Sequence, residues 1–213
     1  MNRMDRAILS LFILLAAGMV LYVSNCIFKR YHPSAEKPEV LSVSQETVIG
    51  KHPLYRGNAQ APFVLVEFAD YQCPACIAMH PRVLETLHRP KEQVKLLFHH
   101  FPLPMHPQAK PAAIEAEAAR VQGQFWSLHD LLMNSNGHLL ASDLQTYVQR
   151  LRLDPNRLRR DLSQAAPAAV ESDLQLGKAL GVNATPTFLL CTPARKVIKL
   201  GNLSQVEDYL GRQ

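Results

Sequence analysis

Phe63-Val-Leu-Val-Glu-Phe-Ala-Asp-Tyr-Gln-Cys-Pro-Ala-Cys76 is the stretch on which the fold turns. Its opening, Phe63 to Phe68, is β-branched, aromatic or apolar apart from Glu67. Pro62 precedes it and Ala69-Asp70 follows, so it reads as a buried central strand. After Cys76, the residues Ile77, Met79, His80, Val83, Leu84 and Leu87 recur at helical spacing. Cys73 therefore sits at or just before the first turn of a helix. Pro74 takes the first helical position, where its missing N–H is no loss.

That placement carries chemistry. The thiolate is the attacking form of cysteine, and the unpaired amides and positive end of a helix N-terminus stabilise it. Cys73 is the candidate nucleophile. Cys76, one turn deeper, is placed to attack back on Cys73 and resolve a mixed disulfide. Pro74 and Ala75 form the loop between them and let the sulfurs meet without unwinding the turn. The competing reading of a CxxC pair is half of a zinc or copper site, completed by His80, His99, His100 or His106. No second CxxC exists in the chain, and the strand-CxxC-helix setting favours redox work, so no metal ligand is assigned.

Working outward, Val94 to His99 reads as a second strand, and Thr187 to Cys191 and Lys196 to Leu200 as two more. Helical patterns run from Pro107 to Val121, Phe125 to Asn134, Ala141 to Leu151, Pro155 to Gln164 and Pro167 to Leu180, with a closing helix at Leu203 to Leu210. Phe125 and Trp126 read as helical core. In Gly181-Val-Asn-Ala-Thr-Pro186 a glycine ends a helix and a proline opens an apolar strand. The local expectation for that proline is a trans bond at an edge strand.

The 213 residues, 47% hydrophobic and 19% charged, suit one sizeable domain beside a tail. Net charge is +5, yet Lys and Arg are spread out and no basic run is interleaved with aromatics, so nucleic-acid binding is set aside. Four cysteines are too few for a disulfide framework. Cys191 reads as an inert core thiol, with a third reactive thiol near Pro186 as the alternative.

Residues 7–28 form an uncharged apolar run, with Arg3 and Arg6 before it and Lys29 and Arg30 after it. Its length suits a membrane-crossing helix, so residues 1–30 are expected to be a signal-anchor or transmembrane segment. A cleaved signal would need a better site than Val23-Ser24-Asn25, and a lipoprotein acylated at Cys26 a smaller residue than Asn25. Residues 31–60 are polar and proline-bearing and read as a tether. An alternating piece at Leu41 to Val48 could add an edge strand.

Four motifs carry a family resemblance: Glu67-Phe-Ala-Asp-Tyr-Gln-Cys-Pro-Ala-Cys76, His99-His-Phe-Pro-Leu-Pro-Met-His-Pro107, Gln122-Gly-Gln-Phe-Trp-Ser-Leu-His-Asp130 and Gly181-Val-Asn-Ala-Thr-Pro-Thr-Phe188. In this order, from about Leu54 to the C-terminus, the chain resembles the DsbA-like thiol-disulfide oxidoreductases of the thioredoxin superfamily. The resemblance implies an α/β thioredoxin-like domain, residues 61–106 and 181–213, with a helical domain inserted at 107–180. It implies a cis Pro186 packed against the CxxC, Thr185 presenting its backbone to the substrate, and Glu67 as a buried acid that helps move the proton of the buried cysteine. For Glu67 the competing reading is a strand carboxylate facing solvent.

The same resemblance implies no cofactor beyond the redox-active disulfide. The expected partners are cysteine-containing exported proteins and a membrane redox protein that recycles the disulfide. The expected location is the periplasmic side of the bacterial inner membrane, anchored through residues 7–28. Two departures leave the direction of electron flow open: Pro74-Ala75 lacks the histidine of the strongly oxidising prototype, and threonine precedes Pro186, as in isomerase and reductase-leaning relatives and many anchored oxidases. An oxidase leads. A reductase or isomerase, or a copper- or zinc-holding protein of the same fold, stands as the alternative.

Overall fold

Strand-forming residues with both faces covered make the centre of the sheet. In the computed structural model, which describes residues 19, 37–50, 53–88 and 93–211, β3 (Phe63–Ala69) is buried at every position. It pairs in parallel with β4 (Val94–His100) and antiparallel with β5 (Thr187–Cys191). β6 (Val197–Leu200) continues the sheet beside β5, and the edges are β1 (Glu39–Leu41) on β6 and β2 (Tyr55–Gly57) on β4. The strand order is thus β1-β6-β5-β3-β4-β2.

The two-residue period of a strand sorts β3 into two cores. Phe63 and Leu65 pack with Leu190 and Ile198 against Val83 and Leu87 of α2 (Pro74–Leu87) and Leu203, Val206 and Leu210 of α8 (Leu203–Gly211). Val64, Val66 and Phe68 point the other way, toward Phe101, Val182, Val48 of α1 (Gln45–Ile49) and Leu174 and Leu176 of α7 (Ala165–Ala179). Between β4 and β5 the chain forms a helical module of α3 (Ala109–Arg120), α4 (Phe125–Met133), α5 (Ala141–Arg150), α6 (Pro155–Ser163) and α7. Six alanines of α3, Ala109, Ala112, Ala113, Ala116, Ala118 and Ala119, are buried. Their small side chains let α4, α6 and α7 all pack on one short helix.

The thioredoxin-like α/β fold with its helical insertion agrees with the expectation, and the stretch expected as a tether is where the two differ. Residues 39–57 supply both edge strands of the sheet and a helix. Three-residue strands with half-exposed side chains carry no readable periodicity, so the polar composition dominates the reading. The strand expected at Leu41 to Val48 is replaced by β1, which ends at Leu41, and by α1, whose N-cap Ser44 accepts a hydrogen bond from the N–H of Thr47. Helix α7 starts at Ala165, two residues before the expected Pro167, because a proline in the first turn has no intrahelical N–H bond to lose. The signal-anchor expectation for residues 1–30 lies outside the described residues apart from Met19. Among the described residues no helix is long and apolar enough to cross a membrane.

Where the module meets the sheet, Gly177 of α7 is buried against aromatic rings: a Cβ there would come within 2.6 Å of Phe101 and 3.2 Å of Phe68. Gly177→Ala is expected to lower unfolding free energy by about 1–3 kcal/mol through overpacking. Denaturant titration against the parent checks it, and an unchanged midpoint would mean that the rings move aside freely.

Candidate active site

The end of β3 delivers the chain to a tight turn that Asp70 holds together. Its carboxylate, with no side-chain exposure, accepts from the N–H groups of Gln72 (2.7 Å), Cys73 (3.1 Å) and Leu103 (2.7 Å). His106 Nδ1 lies 2.8 Å from the same group. An Asx side chain bonding backbone two residues ahead favours a turn over continued strand, so the chain leaves β3 here and enters α2. Cys73 is the N-cap of that helix, with extended backbone and no side-chain cap bond, and Pro74 opens the first turn. The Cys73 sulfur occupies the place of a capping oxygen.

The consequence is a split in proton affinity between the two thiols. Cys73 is lowered to about 5. The Cys76 thiol, which donates to its sulfur, is the first cause, Thr185 and the N–H groups of Cys76 and Ala75 add to it, and burial opposes them. Cys76 is fully buried and moves the opposite way, far above the ordinary thiol value, because it is the donor in that bond and lies in an apolar setting. Of the two, Cys73 is thus the thiol suited to ionise and attack, and Cys76 the one that holds its proton.

Thr185 and Pro186, far away in sequence, arrive beside this pair. The Thr185–Pro186 bond is cis, and the Thr185 carbonyl oxygen lies 3.5 Å from Cys73 Sγ, a contact in which the sulfur donates only while it is protonated. Glu67 sits on β3 opposite Phe98 and Phe188 and is 1% exposed, so its carboxyl does not face solvent. Neither carboxyl oxygen has a hydrogen-bond partner, and burial raises its pKa to about 8. By strand alternation Glu67 shares the face of Phe63 and Leu65, the α2 face, which brings it under the helix that carries both cysteines. Cys73, Cys76, Thr185 and Pro186 therefore converge, with Pro74 and Ala75 in the first turn and Glu67 beneath.

The remaining candidates go elsewhere. His99 lies 2.7 Å from Asp173 and His100 3.2 Å from Glu117, while His106 lies on Asp70, so each of these histidines is engaged with a carboxylate and not with a cysteine sulfur. Among the described residues, the one group of three that could close on a metal ion is His80, His129 and Asp130, with neither cysteine in it. Cys191 is buried between Val64 and Val197, four residues along β5 from Thr187 and so roughly 13 Å from the cis-proline end. Burial, with Glu46 adding to it, pushes its thiol up to about 12. Phe125 is core, and Trp126 packs partly buried against both the module and the α2 side of the sheet. Sequence reasoning does not single out Asp70 as a site residue; an Asp at the end of an apolar strand, just ahead of Cys73, is the signal that could have found it.

A thioredoxin family model matches residues 50–196. The fold is similar to that of a thioredoxin-like oxidoreductase from Silicibacter pomeroyi DSS-3, at 26% identity and a TM-score of 0.68, covering 80% of this chain and 97% of that one. It is similar to Pseudomonas aeruginosa DsbA2, at 25% identity and 0.59, covering 70% and 88%. At the level of fold it also matches the thiol-disulfide exchange protein alpha-DsbA2 of Wolbachia pipientis, at 16% identity and 0.67, covering 79% and 90%. Among curated proteins, Na(+)/H(+) antiporter NhaA 3 of Salinispora tropica is 39% identical over 137 residues, which are 63% of this chain and 21% of that protein. The chain thus spans about a fifth of the length of the curated relatives it matches.

Two titrations follow from this geometry. Thiolate absorbance of the reduced chain should show its first step near pH 5, and Cys76→Ala should move that step toward the ordinary thiol value more than Cys76→Ser, which keeps a donor. An unmoved step in Cys76→Ala would remove the Cys76 bond as the cause. For Glu67, a folded-state pKa raised from 4.5 to about 8 means that its contribution is fully favourable below pH 4.5 and is lost as pH rises through 8. Relative to Glu67→Gln, the parent should therefore lose stability progressively between those limits and no further above them. Parallel denaturation curves across that range would show a carboxyl that titrates as it does in water.

Proposed function

We propose that this chain, which belongs to the thioredoxin family, is a DsbA-like protein thiol-disulfide oxidoreductase that works as an extracytoplasmic oxidase, donating the Cys73–Cys76 disulfide to cysteines of exported proteins. The observation that carries this direction is the Cys73 thiol, lowered to about 5. A thiolate held that firmly stabilises the reduced protein over the disulfide, and a disulfide whose reduced form is favoured is an oxidant.

The exchange balances in two steps. A client thiolate attacks Cys73 Sγ, forming a mixed disulfide and breaking the Cys73–Cys76 bond, with the electron pair and a proton going to Cys76. Glu67, raised to about 8, holds a proton at neutral pH within the same core and is the candidate donor. A second client thiolate then attacks the client sulfur and expels Cys73 as a stable thiolate, leaving the client oxidised by two electrons. Thr185 and Pro186 border the attacked sulfur and are the proposed docking edge for an extended client segment. The active centre needs no cofactor beyond its own disulfide. A membrane redox partner, quinone-linked, would return the pair to the oxidised state. Residues 7–28 are the proposed anchor, which would hold the domain at the periplasmic face of the inner membrane.

Equilibration with glutathione at set ratios decides the direction. A reduction potential near about −120 mV, the DsbA value, is the expected result, whereas one near about −270 mV, the thioredoxin value, would overturn the oxidase and make the protein a reductant. In the same assay Cys73→Ser should abolish exchange, and Cys76→Ser should accumulate mixed disulfides with clients.

A further inference from the structure

The redox pair leaves a buried polar cluster unused. His80 lies on α2 one turn beyond Cys76 and meets His129 of α4, with ring centroids 5.2 Å apart. Asp130 follows His129, and the three residues offer ligand atoms that all lie within 4.8 Å of one another. His129 is fully buried and the His80 side chain is 4% exposed. The Asp130 side chain is 34% exposed, so the cluster opens to solvent on that side.

The hydrogen bonding of these groups is incomplete in a directed way. His129 Nδ1 lies 3.1 Å from the Tyr71 hydroxyl, while its Nε2 has no partner. Neither ring nitrogen of His80 is bonded, and its Nε2 stands 3.5 Å from Asp130 Oδ1, beyond the roughly 3.2 Å of a well-made bond. Buried polar atoms without partners cost about 1–3 kcal/mol each, so a bare nitrogen on each of two neighbouring rings beside the Asp130 carboxylate calls for an occupant. A second-layer hydroxyl on one ring nitrogen, leaving the other bare beside a carboxylate, is how proteins orient a ligating histidine.

We propose that His80, His129 and Asp130 form a binding site for one divalent ion of the zinc class. Two imidazole nitrogens and a carboxylate oxygen suit that ion, with a fourth position left for water. Ligand bonds of about 2.0–2.2 Å set tetrahedral donors roughly 3.4 Å apart, so the side chains close by rotation about their own bonds. Arg56, paired with Asp130 Oδ1, is the competing cation. The bound ion ties α2, which carries both cysteines, to α4 of the helical module. It is separate from the Cys73–Cys76 chemistry and does not rest on the oxidase reading.

Trp126 is the one tryptophan in the chain, and its ring centroid lies 5.1 Å from that of His129. It reports directly on the site. The full chain carrying Cys73→Ser and Cys76→Ser, which removes the redox thiols as ligands, is titrated with Co2+ while Trp126 fluorescence and cobalt absorption are followed. Expected are saturable quenching at one equivalent, cobalt bands without thiolate charge transfer, and reversal by Zn2+. His80→Gln or Asp130→Asn, added singly, should weaken binding at least tenfold, and Arg56→Gln should tighten it. Quenching that never saturates, or binding equal to the parent in both His80→Gln and Asp130→Asn, overturns the site.

Discussion

The carboxylate of Asp70, out of contact with water, is the constraint from which the active centre is built. Three backbone N–H groups converge on it, two from the CxxC turn and one from Leu103 after β4, and His106 closes the set. A buried carboxylate must be met by several donors, and meeting them forces the ends of β3 and β4 to a common point. Once that point is set, the helix can only begin at Cys73. The first-turn amides that Pro74 and the cysteine leave unpaired then face sulfur instead of a capping oxygen.

From that start the chemistry divides between two residues with the same side chain. Cys73 stands at the mouth of the helix and Cys76 one turn inside it, and a single S–H···S bond lowers the first while raising the second. The ordinary difference between an N-cap and an interior helical position thereby becomes a difference in proton affinity. Beneath them Glu67 occupies the one position of β3 that is both on the α2 face and polar. Its isolation from hydrogen-bond donors keeps the proton on it near neutrality.

The helical module does more than cover the sheet. Tyr71, from the active-site turn, stacks on Phe98 of β4 and reaches His129 of α4 through its hydroxyl. Trp126 of the same helix bridges two cores. The site turn, the sheet and the module are thus packed as one aromatic assembly. His80 and Asp130 lie at its polar edge, next to the helix that holds the cysteines.

Much of this is legible in the residues. Phe63 to Phe68 is continuous and β-branched because a strand covered on both faces needs no polar alternation, and the spacing of Ile77, His80, Val83, Leu84 and Leu87 marks a helix with one buried side. Those two patterns, with Pro74 between them, place Cys73 at a helix N-terminus on local grounds alone. The five helices after β4 carry their own periodicity, and their bounds lie within two residues of expectation. Edge strands β1 and β2 are not legible: three residues, half exposed, pair through backbone groups that every residue has. The sequence by itself determined that Cys73 heads a helix and that Cys76 lies one turn inside it, since helix capping and strand burial are local. Only the tertiary structure decided that Thr185 lies against Cys73 across 112 positions, that Glu67 finds no donor, that Asp70 gathers two loops, and that His80 meets His129 and Asp130. Those are contacts between distant segments, and they exist because close packing, not local propensity, selects the neighbours.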